Sequence, residues 1–193
     1  MQELSLNILD IVQNSVKAKA SLIEIIIDEN IVRDRMIIEI IDNGCGMTKE
    51  QVKNVEDPFF TTRTTRKVGL GVSLFKMAAE MTGGSFHIES EVNIGTKVHA
   101  EFVYSHIDRM PLGDIGTTIT TLIQCNENID FLYLHKLNEK SFILDTREFR
   151  EILEGIPLSS PEVMSFIKNY LIENYNELYE NLKKGEDNYE ILS

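Results

Sequence analysis

Cations are scarce in this chain of 193 residues: 19 Lys and Arg stand against 31 Asp and Glu, a formal charge of −12. So acidic a surface repels a phosphate backbone, which argues against a nucleic-acid partner. Tryptophan is absent and cysteine occurs twice, as Cys45 and Cys125. Two cysteines this far apart form no metal-ligand spacing and need not pair, so the chain reads as one for a reducing cytoplasm. No apolar run approaches the roughly 20 residues of a membrane span. The first residues, Met1-Gln2-Glu3, lack the basic start of a secretory signal, and no membrane partner is expected. The apolar fraction, 42%, is ordinary and argues against disorder.

What is present concentrates in Ile41-Asp42-Asn43-Gly44-Cys45-Gly46-Met47. The apolar run from Met36 to Ile41 predicts a buried strand. A carboxylate then stands where the pattern calls for another aliphatic residue, and a buried carboxylate is costly unless something satisfies it. Gly44 and Gly46 let the backbone turn sharply and let a flat ligand lie against bare main chain.

Upstream, Leu4, Ile8, Ile11 and Val12 belong to a helical apolar stripe, and Asp10, Asn14 and Lys17 fall at i, i+4 and i+7. That spacing sets an acid, an amide and a cation on one helix face. An amide oxygen suits Mg²⁺, a lysine can neutralise phosphate, and an acid can deprotonate an attacking group; a merely solvated face is the alternative. Downstream, residues 57–71 combine Phe59-Phe60, four threonines, Arg63, Arg66, Lys67 and Gly69-Leu70-Gly71. The segment predicts a lid over a polyphosphate, and its glycines precede an apolar-periodic helix whose N-terminus favours an anion.

These elements together resemble the GHKL ATPases, the superfamily of gyrase, the heat-shock chaperone ATPase, histidine kinases and mismatch-repair ATPases. Asp10 to Ala18 resembles the N box, Asp42 to Met47 the G1 box, and Asp57-Pro58-Phe59-Phe60-Thr61-Thr62 the histidine-kinase F box. Gly69-Leu70-Gly71 resembles the G2 box, and Asn93 to Val98 the closing G-T strand. Five motifs occur in order over residues 7–98.

The resemblance implies an α/β fold of the α+β two-layer type, a mixed sheet with helices on one face. It implies ATP and Mg²⁺ as cofactors. Asp42 would accept the adenine amino group beside Gly44 and Gly46, and Thr96 would bond the adenine edge. Asn14 would coordinate Mg²⁺, and Lys17 would touch the phosphates. Gly69, Leu70 and Gly71 would contribute backbone contacts, with Phe60, Arg66 and Lys67 on the lid. Asp10 holds the place of the catalytic acid, one methylene shorter than the Glu of many hydrolytic members. The F-F-T-T sequence and Lys17 look like histidine kinases; Asn14-Ser15 looks more like mismatch repair.

Two absences bear on the branch. No His precedes position 87, so a complete autophosphorylating sensor is not expected. The family's strand before the N-box helix is also missing, which predicts a trimmed domain or one completed by a partner. Residues 1–104 form the expected ATP-binding domain, and 105–193 an α/β extension for regulation or partner binding. In that extension the pattern predicts helices over 114–125, 146–154 and 161–183, with strands over 130–136 and 141–145. Ser160-Pro161-Glu162 reads as a helix start with a polar cap. The wide apolar face of the last helix reads as core, or alternatively as a homodimer or partner surface. His106 and His135 are the candidate phosphoacceptors, His135 in a strand rather than on a dimerising helix.

Three functions stay open at this point. One is Mg-dependent phosphoryl transfer to a protein partner, as in the anti-sigma serine kinases of the superfamily. Another is an ATPase switch. The third is a non-catalytic ATP-gated binding module.

Overall fold

The computed structural model describes residues 3–56 and 70–186. Twelve elements follow one another in these segments: α1 (Leu4–Lys17), β1 (Leu22–Asn30), β2 (Arg35–Asp42), α2 (Lys49–Glu56), α3 (Leu70–Met81), β3 (Ser85–Glu91), β4 (Gly95–Val103), α4 (Ile115–Cys125), β5 (Asp130–Leu137), β6 (Lys140–Asp145), α5 (Thr146–Leu153) and α6 (Pro161–Glu186). The strands form one mixed sheet in the order β3-β4-β2-β1-β5-β6. All pairs are antiparallel except β1 with β5, which run parallel.

Strand alternation decides which face is covered. Ile23, Ile25 and Ile27 of β1 are buried, as are Met36, Ile38 and Ile40 of β2 and Phe131 and Tyr133 of β5. Register brings them into rows: Ile25 lies opposite Ile40 on one side and Tyr133 on the other. Side chains two apart share a face, so this face is the core and the intervening residues look outward. Phe75 of α3 packs edge-on against Phe86 and tilted against Phe102. Tyr175 of α6 meets Phe142 at 5.1 Å between ring centres. Fully burying a large apolar side chain contributes about 1.5–3 kcal/mol, so this shared layer is the main source of stability.

Helix α1 forms because Leu4, Ile8, Ile11 and Val12 make a buried stripe at helical spacing. Its first residue is preceded by Glu3, which makes no side-chain cap. Instead the Leu4 and Ser5 amides donate to the carbonyls of Pro111 and Leu112, at 3.0 and 2.9 Å. The junction after β4 thus satisfies helix-end donors that would otherwise stay unpaired. At α2, Thr48 and Gln51 form a reciprocal capping box: the Thr48 amide donates to Gln51 Oε1 and the Gln51 amide to Thr48 Oγ1.

β5 pairs in parallel with β1 from Leu22 to Glu29, so the residues read as a C-terminal extension add β5 and β6 to the same sheet. Two expectations change. The Ser160 cap is not made: its hydroxyl is buried without a hydrogen-bond partner among the described residues, and Ser160 contributes its carbonyl to the Met164 amide instead. His135 is fully buried with both ring nitrogens engaged, by Tyr133 and Glu29, which leaves no nitrogen open to accept a phosphoryl group. Among the described residues no helix is long and apolar enough to cross a membrane.

Candidate nucleotide site

Strand β2 ends at Asp42, which lies on the core-facing side of the sheet in register with Thr96 of β4. The carboxylate is held from two directions. Ser15 Oγ, one helical step past Asn14, donates to Oδ2 at 2.6 Å, and the Gly44 amide donates to Oδ1 at 2.9 Å. Such charge-assisted bonds fix the orientation of a buried carboxylate and offset its desolvation. The turn is pinned on its other side by Asn43, whose Oδ1 accepts the Ser21 and Leu22 amides at 2.8 and 3.0 Å.

Gly46 has φ +62°, and a Cβ there would fall 1.9 Å from the Glu91 carbonyl oxygen. No side chain fits that position, so the β3–β4 turn can close directly on the G1 backbone. The contact is sealed when the Asn93 amide donates to the Cys45 carbonyl at 2.8 Å. Next to it, Ser90 Oγ accepts the Met47 amide and donates to the Gly95 carbonyl, and it lies 2.9 Å from Thr96 Oγ1. Serine has one hydrogen. With that hydrogen on the Gly95 carbonyl, Thr96 is the donor in its contact with Ser90, and its own lone pairs remain available.

A cavity of about 300 Å³ opens between α1, α2, α3 and the ends of β2, β3 and β4. Asn14, Lys17, Asp42, Gly46 and Thr96 all line it. Its remaining walls are largely apolar, among them Ile11, Met47, Val72, Ile88 and Val98. The result is a largely apolar slot lined by the acceptors Asp42 and Thr96 and by an amide and an ammonium on α1. The Asn14 side chain presents a hard oxygen there, which fits a magnesium ion that keeps waters and phosphate oxygens around it.

Other expected residues lie elsewhere. Gly44 stands behind Asp42 as its donor rather than on the cavity wall. Asp10 is exposed on α1, one turn before Asn14, and does not line the cavity. It meets the start of α3 instead: a Cβ on Gly71 would come within 2.9 Å of Asp10 Cβ, so glycine there allows the two helices to approach. Leu70 is the first residue of α3. Phe60, Arg66, Lys67 and Gly69 lie outside the described residues. Ser15 and Ser90 are the functional residues that motif reading passed over. Ser15 sits inside the N box beside Asn14, but only its contact across 27 residues reveals its part.

The profile of the histidine kinase-, DNA gyrase B- and HSP90-like ATPases matches residues 2–106, more than half of the chain, and the chain belongs to that family. Its ATP-binding domain is of the histidine-kinase type. A sensor protein of Shewanella frigidimarina is 32% identical over 109 residues, which cover 55% of this chain and 17% of that protein. Sporulation kinase D of Bacillus subtilis is 34% identical over 91 residues, 47% of this chain and 18% of the kinase. The chain therefore spans about a fifth of the length of these relatives. Among solved structures, the N-terminal domain of a DNA repair protein superposes with a TM-score of 0.51 at 16% identity, over 75% of this chain and 53% of that one. That likeness is one of fold.

Proposed function

We propose that the cavity binds Mg-ATP and that the protein uses it for phosphoryl transfer to a protein partner or for hydrolysis-coupled regulation. The carrying observation is Asp42, locked by Ser15 and Gly44 on the wall of an apolar slot and in register with Thr96. Two neighbouring acceptors suit an aminopurine, whose exocyclic nitrogen donates, and disfavour an oxopurine. An apolar slot accepts the ring. Asn14 and Lys17 then face the phosphates, and bound Mg²⁺ would offset their charge. In phosphoryl transfer, positioning and charge stabilisation supply most of the catalysis.

The place of Asp10, exposed and off the cavity wall, favours a second reading in which ATP binding gates a protein contact with negligible turnover. Calorimetric titration of ATP and GTP, with and without Mg²⁺, followed by a phosphate-release assay, separates the readings. The proposal expects Mg-dependent ATP binding at least tenfold tighter than GTP, about 1.4 kcal/mol. Binding without phosphate release, alone or with partner proteins, favours the gated module. Absence of ATP binding overturns both.

A further inference from the structure

A second cavity, of about 470 Å³, lies between the first turn of α4 and the middle of α6. The nucleotide reading makes no use of it. Its volume falls within the range of small-molecule sites, roughly 300–1,000 Å³. Ile115, Leu171 and Ile172 form its apolar side, Asp114 and Lys168 its charged residues, and Tyr175, Tyr179 and His135 the remaining polar wall.

The polar wall is the end of a hydrogen-bonded chain. Glu29, 4% exposed, accepts from His135 Nε2 at 2.8 Å and from the Tyr179 hydroxyl. Burial pushes its carboxyl up, but these two donors and the charges of His135 and Arg109 more than offset that and hold it below the ordinary value. Nδ1 of His135 lies 2.8 Å from the Tyr133 oxygen, and the Tyr133 and Tyr175 oxygens are 2.7 Å apart. The Tyr175 hydroxyl is the last member of this chain, on the wall of the cavity.

Lys168 supplies a cationic donor from the exposed face of α6. Asp114 opposes an anion, but its Oδ1 is engaged as the cap of α4, accepting the Thr117 amide at 2.9 Å. We propose that this cavity binds a small monocarboxylate with an apolar tail, the carboxylate taking the Tyr175 hydroxyl and the Lys168 ammonium, the tail lying along Ile115, Leu171 and Ile172. The site is independent of the nucleotide cavity and of what that cavity does.

Three probes with one body and different heads test it: hexanoate, hexanamide and hexylamine, titrated into the whole chain and followed by ligand-observed NMR. A ligand of this size is expected to bind with a Kd of about a millimolar. Hexanoate should bind, the amide about tenfold more weakly, and the amine not at all, the difference of one charge-assisted hydrogen bond. Lys168→Met and Tyr175→Phe should each weaken hexanoate by about tenfold. Asp114→Asn, an equally good helix cap, should tighten it. Ile172→Trp, at an exposed position, should fill the cavity and abolish binding. Lys168 and Ile172 are both exposed, so those variants carry the test even where Tyr175→Phe perturbs folding. Equal binding of all three probes, tighter binding of the amine, no binding of hexanoate at about ten times the expected Kd, or indifference to Ile172→Trp would each overturn the proposal.

Discussion

Asp42 and Glu29 are two carboxylates buried on the same face of the same sheet, at opposite ends of the β1–β2 ladder. Asp42 lies opposite Ile23 and Glu29 opposite Met36. Each accepts two hydrogen bonds from the protein. They differ in what surrounds those bonds. Around Asp42 the donors are a small hydroxyl and a backbone amide, and the carboxylate still lines a cavity. Around Glu29 the donors are His135 and Tyr179, large rings that pack on each other, with the His135 ring also against Tyr133, Phe142 and Tyr175. Small donors leave the acid itself on a cavity wall; aromatic donors cover the acid, and it is their rings that line the neighbouring cavity. The first arrangement leaves the acid open to a ligand, and the second ties α6 to the sheet.

Breaking each carboxylate should therefore produce different losses. The largest effect is expected for Glu29→Gln, which leaves His135 facing an amide in a closed interior. Removing one partner of a buried pair costs about 3–5 kcal/mol, read as a lower urea midpoint, with ATP affinity unchanged in the folded fraction. The double change Glu29→Leu with His135→Phe should recover most of that stability, because apolar groups of similar volume need no partners. Failure to recover would mean that the network contributes more than the neutrality of its pair.

Asp42→Asn should invert the pattern. Its amide can still accept from Gly44 and exchange a hydrogen bond with Ser15, so unfolding of the apo protein should shift little. ATP affinity should fall by about 2–3 kcal/mol, the worth of a hydrogen bond to a charged group, or roughly 30- to 150-fold by calorimetry. Ser15→Ala is the milder test. It removes one donor to Asp42 and should weaken ATP by about tenfold, and unchanged affinity would show that Gly44 alone orients the acid.

A last contrast is one of pH. The Glu29 carboxyl is held below its ordinary value in the fold. Its contribution is fully present above the unfolded value and is lost as pH falls through the depressed folded one. Denaturant melts of the wild type and Glu29→Gln should therefore differ at neutral pH and converge in acid. Parallel curves down to acid would show that Glu29 is not the titrating group.

Much of this fold is legible locally. The alternation in Leu22–Asn30 and Arg35–Asp42 and the helical stripe of α1 appear in the sequence, because side chains repeat every two or every 3.6 residues along a strand or helix. Asp42 stood out because it broke one of those periods at a strand end. Glu29 did not stand out, since an acid near a polar turn is ordinary until β5 is known to lie alongside. His135 read as a strand residue or a phosphoacceptor for the same reason: its partners are 106 residues away in Glu29 and 44 away in Tyr179.

The sequence by itself determined the order of elements, the family motifs and the identity of the acid at the end of β2. Those rest on period and spacing, which are properties of neighbouring residues. Tertiary structure alone decided that β5 fills the edge of β1, that Ser15 orients Asp42, that Asp10 faces Gly71 instead of the cavity, and that a tyrosine chain ends at a second one. Hydrogen-bond partners are chosen by strand register and helix crossing, and those are settled only when distant segments compete to bury the same sheet face.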